Sequence, residues 1–251
     1  MFEFAKLPCA CCGSADARTL GERGGDAHRS GRGLRSTVVR CRGCGHMYPQ
    51  PMPMVRNPNL LYHAPEEYFA HHDPKAKTAR YAALLRVLER RLGRRGRLLD
   101  IGSGRGELLC AATALGWRAE GVEASTEFAA EASRASGTLV RCGTLESAAY
   151  PAERFDVVTL AAVIEHFYRP DVVMREVHRV LRPGGLVWID TANEASLYHL
   201  MGNAYFRLRA RRWVTQMSPT FPPYYVQGFT KRSIATLLEL IGFRVEEVTT
   251  H

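Results

Sequence analysis

The sequence predicts an α/β fold: a doubly wound, mostly parallel sheet preceded by a small four-cysteine segment. Three observations predict it. Short apolar runs alternate with helical stretches from residue 97 onward, a glycine-rich turn follows the first of those runs, and two Cys-x-x-Cys pairs lie within the first 44 residues. Strands alternating with helices imply a parallel sheet covered by helices and joined by right-handed crossovers.

The first element is the cysteine pairs. Cys9-x-x-Cys12 and Cys41-x-x-Cys44 are 28 residues apart, and the run between them, GERGGDAHRSGRGLRS, is rich in Gly, Arg and Ser without apolar periodicity. Each turn can present two thiolates, and two such turns complete a tetrahedron around Zn²⁺. Gly13 and Gly45 suit the tight turns. A stretch of ~45 residues buries too little apolar surface to fold alone, whereas a structural zinc contributes roughly 10–16 kcal/mol in comparable peptides. The expected ligands are Cys9, Cys12, Cys41 and Cys44, with Cys11 and His46 as spare donors. Four thiolates leave no open coordination position, so the expected role is structural.

Four prolines in HMYPQPMPMVRNPN (Pro49, Pro51, Pro53, Pro58) exclude helix and favour an extended connector. Tyr81, Leu84, Leu85, Leu88 and Leu92 then recur at helical spacing, which predicts an amphipathic helix over 76–92. The expected organisation is residues 1–55 for the cysteine domain and its connector, 56–94 for a helical connector, and 95–251 for the main domain.

In the main domain the predicted strands are 97–101, 118–124, 138–142, 155–161, 186–192 and 243–249. The predicted helices are 107–115, 126–136, 171–181 (ended by Pro183-Gly184-Gly185) and 231–241. Residues 193–229 interrupt the alternation with many aromatics, among them Tyr198, Tyr205, Phe206, Trp213, Phe221, Tyr224 and Tyr225. Insertions after strand carboxyl ends lie over the ligand cleft of such sheets, so this one reads as a substrate cover.

The turn Asp100-Ile101-Gly102-Ser103-Gly104-Arg105-Gly106 opens the first helix of the alternation. Glycine permits positive φ and close ligand approach, and a helix start offers free N–H groups. Glu123 ends the second strand about twenty residues on, where a carboxylate can accept hydrogen bonds from a ribose. The dinucleotide fingerprint needs glycine at the position of Glu107, and Asp100 would repel a pyrophosphate. A carboxylate there suits the ammonium of a methionine moiety, which favours S-adenosylmethionine over NAD.

LLDIGSGRGELL, GVEAS, FDVVTLAAVIEHFYRPDVVMREVHRVLRPGGLVWIDTAN and FTKRSIATLLELIGFRVEEV together resemble the class I S-adenosylmethionine-dependent methyltransferases over residues 95–250. The resemblance implies a Rossmann-like methyltransferase fold. It places Asp100, Gly102, Ser103, Gly104 and Gly106 at the methionine end of the cofactor and Glu123 with Ala124 at the ribose. Thr144 and Leu145 would flank the adenine, and Ala161 would close the site. Residues 41–68 also resemble the zinc-ribbon start of a methyltransferase subgroup acting on sugars and natural-product intermediates.

His166 is the candidate base, since imidazole accepts a proton at neutral pH; Glu165 beside it is expected to accept backbone or hydroxyl hydrogens. Relatives that bind a divalent cation here use a further carboxylate where this chain has Ala162, so no catalytic metal is expected. Tyr198, His199, Tyr224 and Tyr225 are candidate substrate contacts, Tyr68, Arg80 and Tyr81 could close over the cofactor, and Cys110 and Cys142 read as buried thiols. The fold normally ends with a reversed strand, which the sequence after residue 249 does not supply.

The net charge is +9, but 30 of the 34 basic residues are arginines spread along the chain. Nucleic acid is therefore the alternative partner and a small-molecule acceptor the expected one. The longest apolar stretch, 157–164, falls far below the ~20 residues that span a bilayer. The first residues lack a secretory pattern, which predicts a cytoplasmic protein without a membrane partner, its thiols reduced. The expected function is methyl transfer to a small molecule. The competing readings are an RNA methyltransferase and a non-catalytic interaction protein.

Overall fold

The computed structural model describes residues 2–23, 35–55, 74–217 and 224–250. Tyr68, Phe221, Pro58 and most of the Gly/Arg/Ser-rich run lie outside the described residues. The chain divides into two compact units. One gathers residues 1–61, 164–174 and 191–251, the other 62–163 and 175–190.

The cysteine-bearing unit starts with five short strands: β1 (Phe2–Ala5), β2 (Ala17–Arg23), β3 (Ser36–Cys41), β4 (Met47–Pro49) and β5 (Met52–Val55). β1 pairs antiparallel with β5, and β2, β3 and β4 form a separate antiparallel sheet. The proline-rich connector thus contains two strands. Pro49 ends β4 and Pro53 lies in the two-stranded ribbon, where a missing N–H is tolerated, and Pro51 lies between the two strands. One apolar cluster is formed by Val38, Met47, Val214 and Met217, with Leu20 and Tyr225 against it, and Met52, Ile164, Val226 and Phe229 are buried in the same unit. Polar groups are buried there too. Arg23 is buried, donating from Nε to Ser36 Oγ at 2.7 Å and from Nη1 to the carbonyls of Met217 and Tyr225.

The second unit begins with α1 (Pro74–Leu92), whose last turn carries Arg90 and Arg91 where the helix dipole favours cations. Its apolar face, Tyr81, Leu85 and Leu88, joins a core with Leu98, Leu109 and Val157. Then follow β6 (Arg97–Ile101), α2 (Glu107–Ala114), β7 (Arg118–Glu123), α3 (Thr126–Ser136), β8 (Val140–Cys142) and β9 (Phe155–Ala161). α4 (Pro170–Val180), in which the chain passes between units, leads into β10 (Leu181–Asp190). α3 has a Ser125 N-cap accepting from Phe128 N–H and a left-handed Gly137 at its end.

The sheet order is β10-β9-β6-β7-β8, and every neighbouring pair is parallel. From β6 the chain goes to one side through β7 and β8, then returns to the other through β9 and β10. The switch therefore falls between β6 and β9, where open α/β sheets bind ligands at strand carboxyl ends.

Three expectations need correction. The helix expected over 171–181 stops at Val180, and Pro183-Gly184-Gly185 lie within β10 behind a register shift between Leu181 and Leu186. The third strand shrinks to Val140–Cys142. Residues 243–249 form no strand: alternating β-formers suffice for a pattern, but a strand exists only when a neighbouring strand pairs with it, and among the described residues no strand pairs with this segment. Among the described residues β10 is consequently an edge of the sheet. The aromatic-rich segment contains a helix, α5 (Leu197–Leu208), and α6 (Lys231–Ile241) follows it with a Thr230–Ser233 capping box.

Candidate active site and metal centre

The carboxyl ends of β6, β7, β8 and β9 gather, within one unit, all ten residues expected at a cofactor. After β6 the chain turns sharply: the N–H of Gly102 donates to Val122 O at 2.8 Å and that of Gly106 to Ser103 O at 2.8 Å. Gly102, Gly104 and Gly106 all have left-handed φ (71°, 52° and 87°). Two of them are also sterically required. A Cβ on Gly102 would lie 2.5 Å from Val163 Cγ2, and one on Gly106 would lie 2.9 Å from the Cα of Ala132. Ser103 is buried, its hydroxyl donating to Asp100 O at 3.0 Å.

Glu123 ties β7 to this turn. One carboxylate oxygen accepts Gly104 N–H at 2.9 Å and the other accepts Ser125 N–H at 2.9 Å. Each oxygen keeps a second acceptor direction. Asp100 is buried and accepts the Thr159 hydroxyl at 2.7 Å. Burial pushes its carboxyl up to about 7, with the Glu123 and Glu107 charges adding to the effect. Burial raises Glu123 as well. Two buried acids at adjacent strand ends are destabilised in their charged form until a cation arrives. A ligand carrying an ammonium, a sulfonium and vicinal hydroxyls fits this donor set, so the residues present suit S-adenosylmethionine.

The loop after β8 is held by Thr144 and Ser147, whose hydroxyls and N–H groups bond reciprocally at 2.9–3.2 Å, with Leu145 buried beside them. Ala124 O lies 3.8 Å from the Cys142 thiol, and Ala161 is half-buried at the end of β9. Arg80 pairs with Asp190 at 2.8 Å, and Tyr81 is buried in the core rather than free to close over a ligand. Cys110 is half-buried and Cys142 exposed, a correction to the buried thiols expected. Cys142 is the last residue of a three-residue edge strand, where nothing covers it.

His166 and Glu165 belong to the other unit, in a single 3₁₀ turn, Ile164–His166. His166 Nδ1 lies 3.0 Å from Tyr224 O. A carbonyl only accepts, so Nδ1 carries the proton and Nε2 is the basic nitrogen. Burial lowers this imidazole to about 4, so it is neutral throughout the physiological range. The buried Glu165 accepts the Thr191 hydroxyl at 3.0 Å, and its main-chain carbonyl takes the N–H groups of Val226 and Gln227. His199 lies 2.9 Å from Thr215 Oγ1 and 3.3 Å from the carboxylate of Glu194. Tyr198 is exposed and Tyr224 half-buried. Sequence reasoning missed Arg23 and Glu194: a lone Arg in an alternating strand and a lone Glu after a strand carry no local sign of burial.

The four cysteines expected as ligands converge, all Sγ atoms lying within 4.8 Å of one another. Cys9 and Cys44 are 3.6 Å apart and Cys12 and Cys41 3.5 Å. A tetrahedron with Zn–S bonds of 2.3 Å has edges of about 3.8 Å, so the donor set suits a zinc ion. The two knuckles are copies. Gly13 N–H returns to Cys9 O at 2.8 Å as Gly45 N–H returns to Cys41 O at 3.1 Å, and both glycines are left-handed. The proposed spare donors stay out. His46 Nε2 is 2.6 Å from Gln227 Oε1, its ring packed on Phe229, and Cys11 is buried outside the quartet.

Residues 69–248 match the family model described as a methyltransferase domain. Over 158 residues the chain is 30% identical to a ubiquinone biosynthesis O-methyltransferase of Parvibaculum lavamentivorans, a match covering 61% of this chain and 60% of that protein. A protein of the same name from Brucella anthropi is 41% identical over 103 residues, covering 39% of this chain and 41% of the relative. A solved S-adenosylmethionine-dependent methyltransferase from Archaeoglobus fulgidus superposes with a TM-score of 0.53 at 23% identity, over 75% of each chain, and shares the fold. The chain thus spans less than two thirds of the length of both curated relatives. The ordered glycine turn, paired acids and five-stranded parallel sheet have their explanation in this match: the chain belongs to the methyltransferase-domain family.

Proposed function

We propose that this chain transfers a methyl group from S-adenosylmethionine to a small-molecule acceptor of the sugar or natural-product type, with an oxygen as the nucleophile, as the names of its relatives suggest. The observation that carries the reading is the pair of buried carboxyls, Asp100 and Glu123, flanking a left-handed glycine turn at the sheet's switch point. When bound, the cofactor supplies an electrophilic methyl group on a sulfonium that is already a good leaving group. The chain's task is then binding and alignment, and orientation of this kind is worth ~7–11 kcal/mol.

In this reading Asp100 receives the ammonium, which returns its carboxyl to the charged form. Glu123 takes the ribose hydroxyls with the acceptor directions left over from Gly104 and Ser125. The main chain at Ser103, Gly104 and Gly106 admits the methionine carboxylate, Ala124 lies against the ribose, Thr144 and Leu145 flank the adenine, and Ala161 bounds the site. His166, protonated on Nδ1 so that Nε2 is its basic nitrogen, is the proton acceptor for the acceptor hydroxyl, while Glu165 positions its turn through Thr191 and residues 226–227. Cys9, Cys12, Cys41 and Cys44 hold a structural zinc.

Isothermal titration with S-adenosylmethionine and S-adenosylhomocysteine tests the reading. Micromolar binding that falls at least about tenfold in Glu123→Ala, roughly the loss of a charge-assisted hydrogen bond, is expected. The absence of binding to the zinc-loaded wild type overturns it. His166→Ala should lower kcat by about 10²–10⁴ and leave cofactor affinity unchanged.

A further inference from the structure

Helix α5 is built with its polarity reversed. At 3.6 residues per turn, Leu197, Leu200, Met201, Ala204 and Leu208 fall on one narrow stripe, and His199, Gly202, Asn203 and Phe206 on the opposite one. A surface helix of a globular protein turns its apolar stripe inward. Here the inward stripe is the polar one. His199 meets Thr215, the Asn203 amide donates to Gln216 Oε1 at 3.0 Å and accepts Thr215 N–H at 3.0 Å, and Phe206 packs edge-on against Trp213. Gly202 sits so close that a Cβ would fall 2.6 Å from Thr215 Cγ2. These bonds fix the helix's rotation. The aliphatic stripe is therefore held outward, with Leu197 69%, Leu200 67%, Met201 64% and Leu208 88% exposed.

The charge beside the stripe is equally one-sided. Residues 195–238 contain no Asp or Glu, and Arg207, Arg209, Arg211 and Arg212 follow directly at the helix's C-terminal end. The arginine segment is anchored, since Arg212 O accepts Glu22 N–H at 2.7 Å. Arg209 stacks over Tyr205 and Arg211 over Trp213.

We propose that α5 and the arginines after it form a docking surface for an anionic phospholipid membrane. The aliphatic stripe would insert among the acyl chains at the headgroup boundary, and the arginines would contact lipid phosphates, the arrangement of an interfacial amphipathic helix. Aliphatic Leu and Met suit acyl chains better than nucleic-acid bases, which stack on aromatic faces. Against a second copy of the chain, the acid-free segment offers its arginines no complementary charge. The absence of a spanning helix among the described residues concerns a different mode of membrane contact. The inference is independent of the proposed methyl transfer.

Vesicle co-sedimentation of the zinc-loaded full chain tests it, with vesicles of phosphatidylcholine alone and of phosphatidylcholine mixed equally with phosphatidylglycerol. Binding to the mixed vesicles should exceed binding to the neutral ones by at least tenfold at low salt and fall as salt rises. The double variant Leu200→Glu/Met201→Glu should lose at least tenfold in binding, and Leu197→Ser should show the same direction; all three positions are exposed, so an unchanged thermal midpoint is expected. Arg209→Glu and Arg212→Glu should each weaken binding about fivefold or more, the contribution of one basic residue near an anionic surface. Equal sedimentation with and without vesicles overturns the proposal. So does a dimer in light scattering that Leu200→Glu dissolves, which assigns the stripe to a second copy. Binding to single-stranded RNA without vesicle binding overturns it too, and assigns the arginines to nucleic acid.

Discussion

The two units of this chain are held together by different means. In the sheet unit Leu85, Leu98, Leu99, Leu109, Val157 and Leu160 are wholly buried, each worth roughly 1.5–3 kcal/mol relative to exposure. The cysteine-bearing unit also buries apolar residues, among them Val38, Met52, Ile164, Val226 and Phe229, but adds to them converging thiols and buried polar groups such as Arg23, His46, Glu194 and Gln227. A core made by burial degrades gradually when trimmed. A unit made by ligation and hydrogen bonding fails at single points, because a buried polar group without its partner costs more than a missing methyl group.

That contrast can be broken most decisively through the metal. If the cysteine quartet holds zinc as proposed, chelation should withdraw roughly 10–16 kcal/mol from the cysteine unit and leave the parallel sheet standing. Limited proteolysis with and without a chelator checks this: new cleavages within residues 1–61, 164–174 and 191–251 but not in the sheet are expected, and an unchanged digest would show that the unit stands without ligation. The next effect belongs to the sheet unit and concerns pH. Asp100 has its carboxyl raised to about 7, so its contribution to stability is fully present below about pH 4 and is lost as pH rises through about 7. At about 1.4 kcal/mol per pKa unit, the change is on the order of 4 kcal/mol. Denaturant melts of Asp100→Asn should show a shallower slope between pH 4 and 7, the remainder coming from Glu123 and Glu194, which burial also raises; an unchanged slope would place its origin elsewhere.

Cutting into the apolar core sharpens the comparison further. Leu109→Ala should cost roughly 2–5 kcal/mol, read as a lowered melting temperature with zinc content unchanged. The smallest effect is expected at Gly106, where Gly106→Ala adds a Cβ 2.9 Å from Ala132 and keeps a left-handed φ. A loss of about 1–3 kcal/mol with a shifted α2–α3 contact should appear in hydrogen exchange across residues 104–132. A neutral outcome would mean that α3 can retreat without penalty.

The same contrast governs what could be read from the amino-acid order. β6, β7, β9, α3 and α6 are legible because each carries one period of apolar residues, and the glycine turn with Glu123 is legible because its chemistry is local. The strands β1–β5 are not. STVVRC and MPMV are short, and their pairing joins residues such as Phe2 and Val55 that no local pattern links. The cysteine quartet was visible from spacing, but the exclusion of His46 depends on Gln227, 181 residues away. The expected strand at 243–249 shows the converse failure, an alternation that no strand among the described residues pairs with. In α5 the apolar stripe is plain in LYHLMGNAYFRL, yet nothing local tells which stripe faces inward; that is decided by Thr215 and Gln216 on a later segment.

The register shift in β10 has a practical consequence. Only its second half, from Leu186 to Asp190, pairs regularly with β9, while Pro183 and the two glycines occupy the first half. An edge strand invites like strands from other molecules, and proline is one device that blunts the invitation. Among the described residues the template left by the shielded end is therefore only five residues long. Slow self-assembly into ordered filaments on concentration or gentle heating should start from that short stretch, and a lysine placed at Val187 would be the economical way to keep samples dispersed.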